Sequence, residues 1–118
     1  MSEWPPEFDA LVAAPNHHTL LFENEHVRVL DTCIQPGDTV PMHTHQWPAA
    51  MYVLSFSHFI RRDHESKVML DTREAGLNLK PGQVLWGSAL DLHTLENVGD
   101  QPLRVISTEI KKVEITIV

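Results

Sequence analysis

From Thr19 onward the chain reads as a series of short apolar runs, each closed by a turn. Residues 20–22 lead into a turn at 23–26, and residues 27–34 are rich in β-formers that alternate in part with polar positions. Further strand-like runs cover 40–45, 50–62 and 67–71, the last being the hairpin partner of the long run across a turn at 63–66. Residues 77–79, 84–86, 92–95 and 103–110 follow, and 113–118 read as one more strand. Gly and Pro punctuate the series, at Pro36-Gly37 and again at Lys80-Pro81-Gly82. Roughly eight to ten strands, spaced about 8–12 residues apart, predict an antiparallel sandwich or barrel, and in so short a chain a small jelly roll.

Ahead of the strands, Trp4-Pro5-Pro6 and Pro15 bracket a short helix with apolar residues at Phe8, Leu11 and Val12. This divides the chain into an N-terminal arm, residues 1–18, and a β-barrel domain, residues 19–118. The arm is expected to pack on the barrel or on a second subunit. His17 and His18 fall in the connecting linker, where histidines are read as surface residues.

A length of 118 residues gives room for one domain with a single core, and 42% hydrophobic with 21% charged content is ordinary for a globular protein. The sequence carries neither a bilayer-length apolar run nor a basic region followed by an apolar core at its start, so a cytoplasmic location is expected. Cys33 is the only cysteine, which excludes an intrachain disulfide and fits a reducing compartment; a buried, inert thiol is expected there. A formal charge of −7 argues against nucleic acid or an anionic membrane surface as partner. Eight histidines in so short a chain point instead towards metal.

The chemistry concentrates in residues 37–45. In an extended segment His43 and His45 share a face, because strand side chains alternate with period two, and two imidazoles so placed can grip one metal ion. Pro41 marks the segment as an edge strand or an irregular one.

Two spacings then coincide with a known pattern. Gly37, five residues and His43-Thr44-His45 resemble the first motif of the cupin family. Gly82, five residues, Ser88-Ala89-Leu90, Asp91-Leu92, His93, three residues and Asn97 resemble its second. The resemblance covers about residues 20–112. The departures are specific: the motif glutamate falls on Ala49 or Ala50, the second glycine of the first motif on Phe56 or Ser57, and Pro-x-Gly becomes Ser88-Ala89-Leu90.

The resemblance implies an all-β fold, a cupin-type antiparallel jelly-roll barrel with a short N-terminal helical arm. It also implies that His43, His45 and His93 meet at one end of the lumen as ligands of one divalent metal ion, Fe(II) favoured, with Zn, Ni or Mn as other occupants. Without the glutamate the ligand set is neutral, which weakens metal binding and favours an anionic ligand. The function implied is a small-molecule dioxygenase acting on an enolate, thiolate or carboxylate. The alternatives are a non-catalytic binding or sensor cupin, or a metal-dependent isomerase.

Gln46, Trp47, Tyr52, Phe56, His58 and Trp86 are pocket candidates, and Trp47, Tyr52, Phe56 and Trp86 serve equally as barrel core. Glu109 lies on a strand whose inward face a one-residue slip would reverse. Arg61 and Arg62 are candidates to receive a substrate carboxylate but read better as solvated charges beside a turn, and Asn97 as a residue that satisfies backbone. Partners are expected to be a small-molecule ligand and a second copy of the chain in a homodimer, the exposed edges of small jelly rolls and residues 113–118 being the natural contacts.

Overall fold

A computed structural model of the chain describes residues 4–111. A 3-10 turn (Pro6–Phe8) and a one-turn helix α1 (Ala10–Ala13) precede nine strands: β1 (His18–Glu23), β2 (Val27–Ile34), β3 (Thr39–His45), β4 (Ala49–Ser55), β5 (Phe59–Asp63), β6 (Val68–Asp71), β7 (Val84–Gly87), β8 (Leu90–Asn97) and β9 (Leu103–Ile110). They form a five-stranded sheet in the order β1-β2-β9-β4-β7 and a four-stranded sheet in the order β3-β8-β5-β6, antiparallel throughout. Ile34, Val40, Phe59 and Leu103 meet between the sheets with Ala14, and Phe56, Leu70 and Leu95 pack against them. Burial of each such aliphatic or aromatic side chain contributes roughly 1.5–3 kcal/mol.

The run at 50–62 is not one strand. It breaks at residues 56–58, and β4 and β5 belong to different sheets. The break is held by side chains: Ser55 Oγ donates to the Pro102 carbonyl (2.6 Å) and Ser57 Oγ to Asn97 Oδ1 (2.7 Å). Residues 77–79 form no strand, though Leu77 and Leu79 still line the interior. The further strand at 113–118 lies outside the described residues.

Pro41 sits on an edge strand, since among the described strands β3 pairs only with β8, and the pairing slips between Val40 and His43 and again between His43 and His45. A proline cannot donate to a ladder, so an irregular edge is where it is tolerated. The N-terminal arm covers this edge: Asp9 bridges Thr44, and Thr44 Oγ1 donates to the Phe8 carbonyl (3.3 Å). The helix buries Ala10, followed by Ala14, and leaves Val12 exposed, so the arm's contact is made by small residues that allow close approach. Cys33 is half-buried rather than buried.

Asn97 ties the structure together at the end of β8. Its Nδ2 donates to the carbonyls of Ile34 (2.9 Å) and Gln101 (2.8 Å), and its Oδ1 accepts from Ser57 Oγ and the Gly99 amide. Asn97→Ala removes four hydrogen bonds, two of them buried, and is expected to cost about 3 kcal/mol, against near zero for exposed Asn78→Ala. Urea unfolding of both variants checks this.

Candidate metal centre

Four imidazoles converge at one end of the space between the sheets. His43 and His93 are cross-strand partners on β3 and β8, with ring centroids 4.2 Å apart. His45 lies 4.9 Å from His43 and 5.6 Å from His93 by the same measure. The fourth is His18, 5.0 Å from His43 and 5.3 Å from His45. Read from sequence as a surface residue of a linker, it is the buried first residue of β1. Ligand atoms of His18, His43 and His45 all lie within 4.8 Å of one another, a trio that differs from the expected His43, His45 and His93 by one member.

Hydrogen bonds fix how each ring faces. Nδ1 of His43, His93 and His18 lies 2.7, 2.6 and 3.0 Å from the carbonyls of Pro41, Asp91 and Ala14. A carbonyl only accepts, so each Nδ1 carries the hydrogen, and Nε2 of the neutral ring keeps its lone pair. His45 Nδ1 likewise donates to Glu109 Oε2 (3.1 Å). His43 Nε2 and His45 Nε2 then face each other at 3.2 Å. Two lone pairs at that separation repel unless a cation stands between them, either a proton on His45 or a metal ion. Nitrogens bound side by side on one ion at ~2.1 Å stand about 3 Å apart, so the donor set fits a metal.

Glu109 belongs to the site. It lies on β9 directly across from Ala49, one of the two positions on which the motif glutamate falls, and is fully buried. Its Oε1 accepts from Arg28 Nε (2.6 Å), and Arg28 in turn forks onto both oxygens of Asp9 (2.9 and 3.0 Å). Burial pushes Glu109 upward, but hydrogen bonds from His45 and Arg28 outweigh it and hold the carboxyl below its usual range. Asp9 is lowered in the same way, burial being overcome by Arg28. A carboxylate behind a ligating histidine fixes its tautomer and raises its basicity. Sequence reasoning offered Glu109 without a face and missed His18 as a site residue, because no motif spacing contains His18.

The cluster opens onto a cavity of about 560 Å³ with mostly apolar walls. Trp47, Phe56 and Trp86 line it as expected, Trp86 being 65% exposed and so standing at the open side. Trp47 is overlain by Arg28, 5.0 Å from its ring, and Lys111, 5.4 Å away. Three candidates do not line it. Tyr52 projects outward because its neighbours Met51 and Val53 take the inner face of β4. Gln46 follows inward-facing His45 and so falls on the other side. His58 lies in the break between β4 and β5, where its Nδ1 meets Thr72 Oγ1 at 2.9 Å.

The fold is the cupin type, the double-stranded β-helix. The chain is similar to a cupin domain from Bordetella pertussis Tohama I, with 20% identity, coverage of 80% of this chain and 92% of that one, and a TM-score of 0.64. It is similar to an RmlC-like cupin family protein from Methanocaldococcus jannaschii (13% identity, 79% and 77% covered, TM-score 0.55). A third likeness is to the polyketide cyclase RemF from Streptomyces resistomycificus (16%, 84% and 71%, TM-score 0.52). At these identities the likeness establishes the fold. No family sequence model and no curated protein matches the chain. Among the described residues no helix is long and apolar enough to cross a membrane.

Burial pushes His43 down to about 2 and both His18 and His93 to about 4, from an ordinary 6.5. In the metal-free protein these rings stay neutral where the unfolded chain takes up protons. Their contribution is therefore fully present above pH 6.5 and is lost as pH falls from there towards about 4, on the order of 1.4 kcal/mol per pH unit per histidine. Urea midpoints of metal-free protein should drop steadily between about pH 7 and about pH 5; a flat profile would mean that the rings are solvated.

Proposed function

We propose that the histidine cluster holds one divalent metal ion, Fe(II) favoured, and that the adjoining cavity takes an anionic small molecule for a dioxygenase-type reaction. The observation that carries this reading is that the Nδ1 hydrogens of four clustered rings are all engaged, with His43 Nε2 and His45 Nε2 facing each other at 3.2 Å and His18 completing a trio of ligand atoms within 4.8 Å, at the head of an apolar cavity. A bound ion supplies a Lewis acid there and, as iron, a redox centre for dioxygen chemistry. His43, His45, His93 and His18 are its holders; Glu109 orients His45, and Arg28 keeps Glu109 ionised. Uncharged donors leave the ion's charge uncompensated, which draws an anion, and the apolar walls keep water from screening that attraction.

An isomerase gains less support. It needs a free base beside its substrate, and Glu109, the only carboxylate among the described residues lining the cavity, accepts a hydrogen bond on each oxygen. A second reading, binding without turnover, is favoured by the fourth histidine, since four protein ligands close a tetrahedral site. The homodimer belongs to the same proposal, supported by Leu20, Leu21 and Phe22 exposed on edge strand β1.

Protein purified without chelator or nickel resin should carry about one iron per chain and consume oxygen when anionic substrates are added. Equal anion binding by zinc and iron forms, with no oxygen uptake, would leave the binding role. His93→Ala should lose stoichiometric metal and His58→Ala should keep it; the reverse pattern would overturn the site. Glu109→Gln, which preserves shape but not charge, should weaken metal affinity about 10–100-fold in a competition titration with a chromogenic chelator.

A further inference from the structure

The cavity holds one charged side chain that the metal centre does not use. Arg61 lies on β5, in register with Leu95 of β8 and Leu70 of β6, and all three line the cavity. Phe59, two residues earlier on the same face, is buried, and its ring lies 5.8 Å from the guanidinium. Arg62, on the opposite face, makes the ordinary surface pair, donating to Glu96 Oε1 at 2.9 Å. Arg61 has no such partner among the described residues, and its Nε is buried without a hydrogen bond. Glu109, the one carboxylate among the described residues of the cavity wall, is already held by Arg28 and His45. The charge read from sequence as solvated is therefore set into an apolar wall.

Leucine would suit that wall better. Arg61 is half-buried, with its Nε shut off from water, and a guanidinium partly desolvated without a counter-ion costs stability that arginine does not escape by losing its proton. Such a group persists where something outside the fold completes it.

We propose that Arg61 receives the carboxylate of the cavity's ligand, which is a carboxylic acid with an apolar body whose other end lies towards the histidines. The planar fork of guanidinium donors matches a carboxylate in two parallel hydrogen bonds. Among the described residues no lysine and no second arginine lines the cavity, which suits a singly charged carboxylate better than a phosphate dianion. The apolar lining from Ile34, Val53, Leu70, Leu79 and Leu85 takes the body of the molecule. Burial lowers the pKa of Arg61 with no carboxylate to oppose it, and its charge also works against protonation of His93, so it acts on the same cavity as the cluster. The inference rests on the proposed reading for the ligand's orientation but not for its anion.

The test is calorimetric titration of octanoate and octanamide into the wild type and Arg61→Met, each with metal loaded and metal removed. The wild type should bind octanoate about tenfold or more tightly than the amide in both metal states, and Arg61→Met should lose that preference. Arg61→Met should also melt at a higher temperature, because a buried unpaired charge has gone. A preference that survives in Arg61→Met and vanishes only on metal removal assigns the anion to the metal, and overturns this inference while the metal reading stands. An Arg61-dependent preference in a protein that binds no metal does the opposite. Failure of the wild type to distinguish acid from amide, or a variant that melts lower or does not fold, overturns the proposal.

Discussion

The arrangement depends on one buried guanidinium. Arg28 lies between Asp9 of the arm and Glu109 of β9, and Glu109 reaches His45. Each link needs the others. Hydrogen bonds from both carboxylates offset the burial of Arg28, while His45 and Arg28 together hold Glu109 ionised and Arg28 with the Leu11 amide does so for Asp9. The relay couples the position of the arm to the orientation of a ring at the site. The arm acts a second time through the Ala14 carbonyl, which orients His18. A segment that looks peripheral in the chain therefore sets two of the four imidazoles.

The electrostatic balance follows from the same groups. Asp9, Arg28 and Glu109 together leave one negative charge in excess beside rings that burial keeps neutral. A cluster of neutral donors next to an uncompensated carboxylate is a place where a cation is stabilised. The opposite wall carries the opposite imbalance, at Arg61. The cavity is thus polarised, with sites of opposite sign preference joined by an apolar floor.

A carboxylate does reach the site, but from another strand and to another place than the missing motif glutamate. Ala49 occupies the inward-facing place on β4, and its small side chain leaves room for Glu109 from the neighbouring strand. That carboxylate backs His45 instead of sharing the ring nitrogens' focus, and His18 enters from β1. The donor set is thereby all-imidazole, with its negative charge set one hydrogen bond behind.

The sequence by itself determined most of the strands and the turns between them, since alternation and glycine-proline punctuation are local properties written residue by residue; that His43 and His93 meet was implied by the resemblance and is placed by the register of β3 on β8. It also marked Pro41 as an edge and Asn97 as a backbone anchor, because both follow from what those side chains can and cannot bond. Only the tertiary structure decided the break at residues 56–58, where Ser55 and Ser57 bond partners some 40 residues or more away in the chain. It alone brought His18, Glu109 and Arg61 to the cavity. Each sits on a strand whose inward face is set by register with neighbours distant in sequence, and a shift of one residue would have turned all three away.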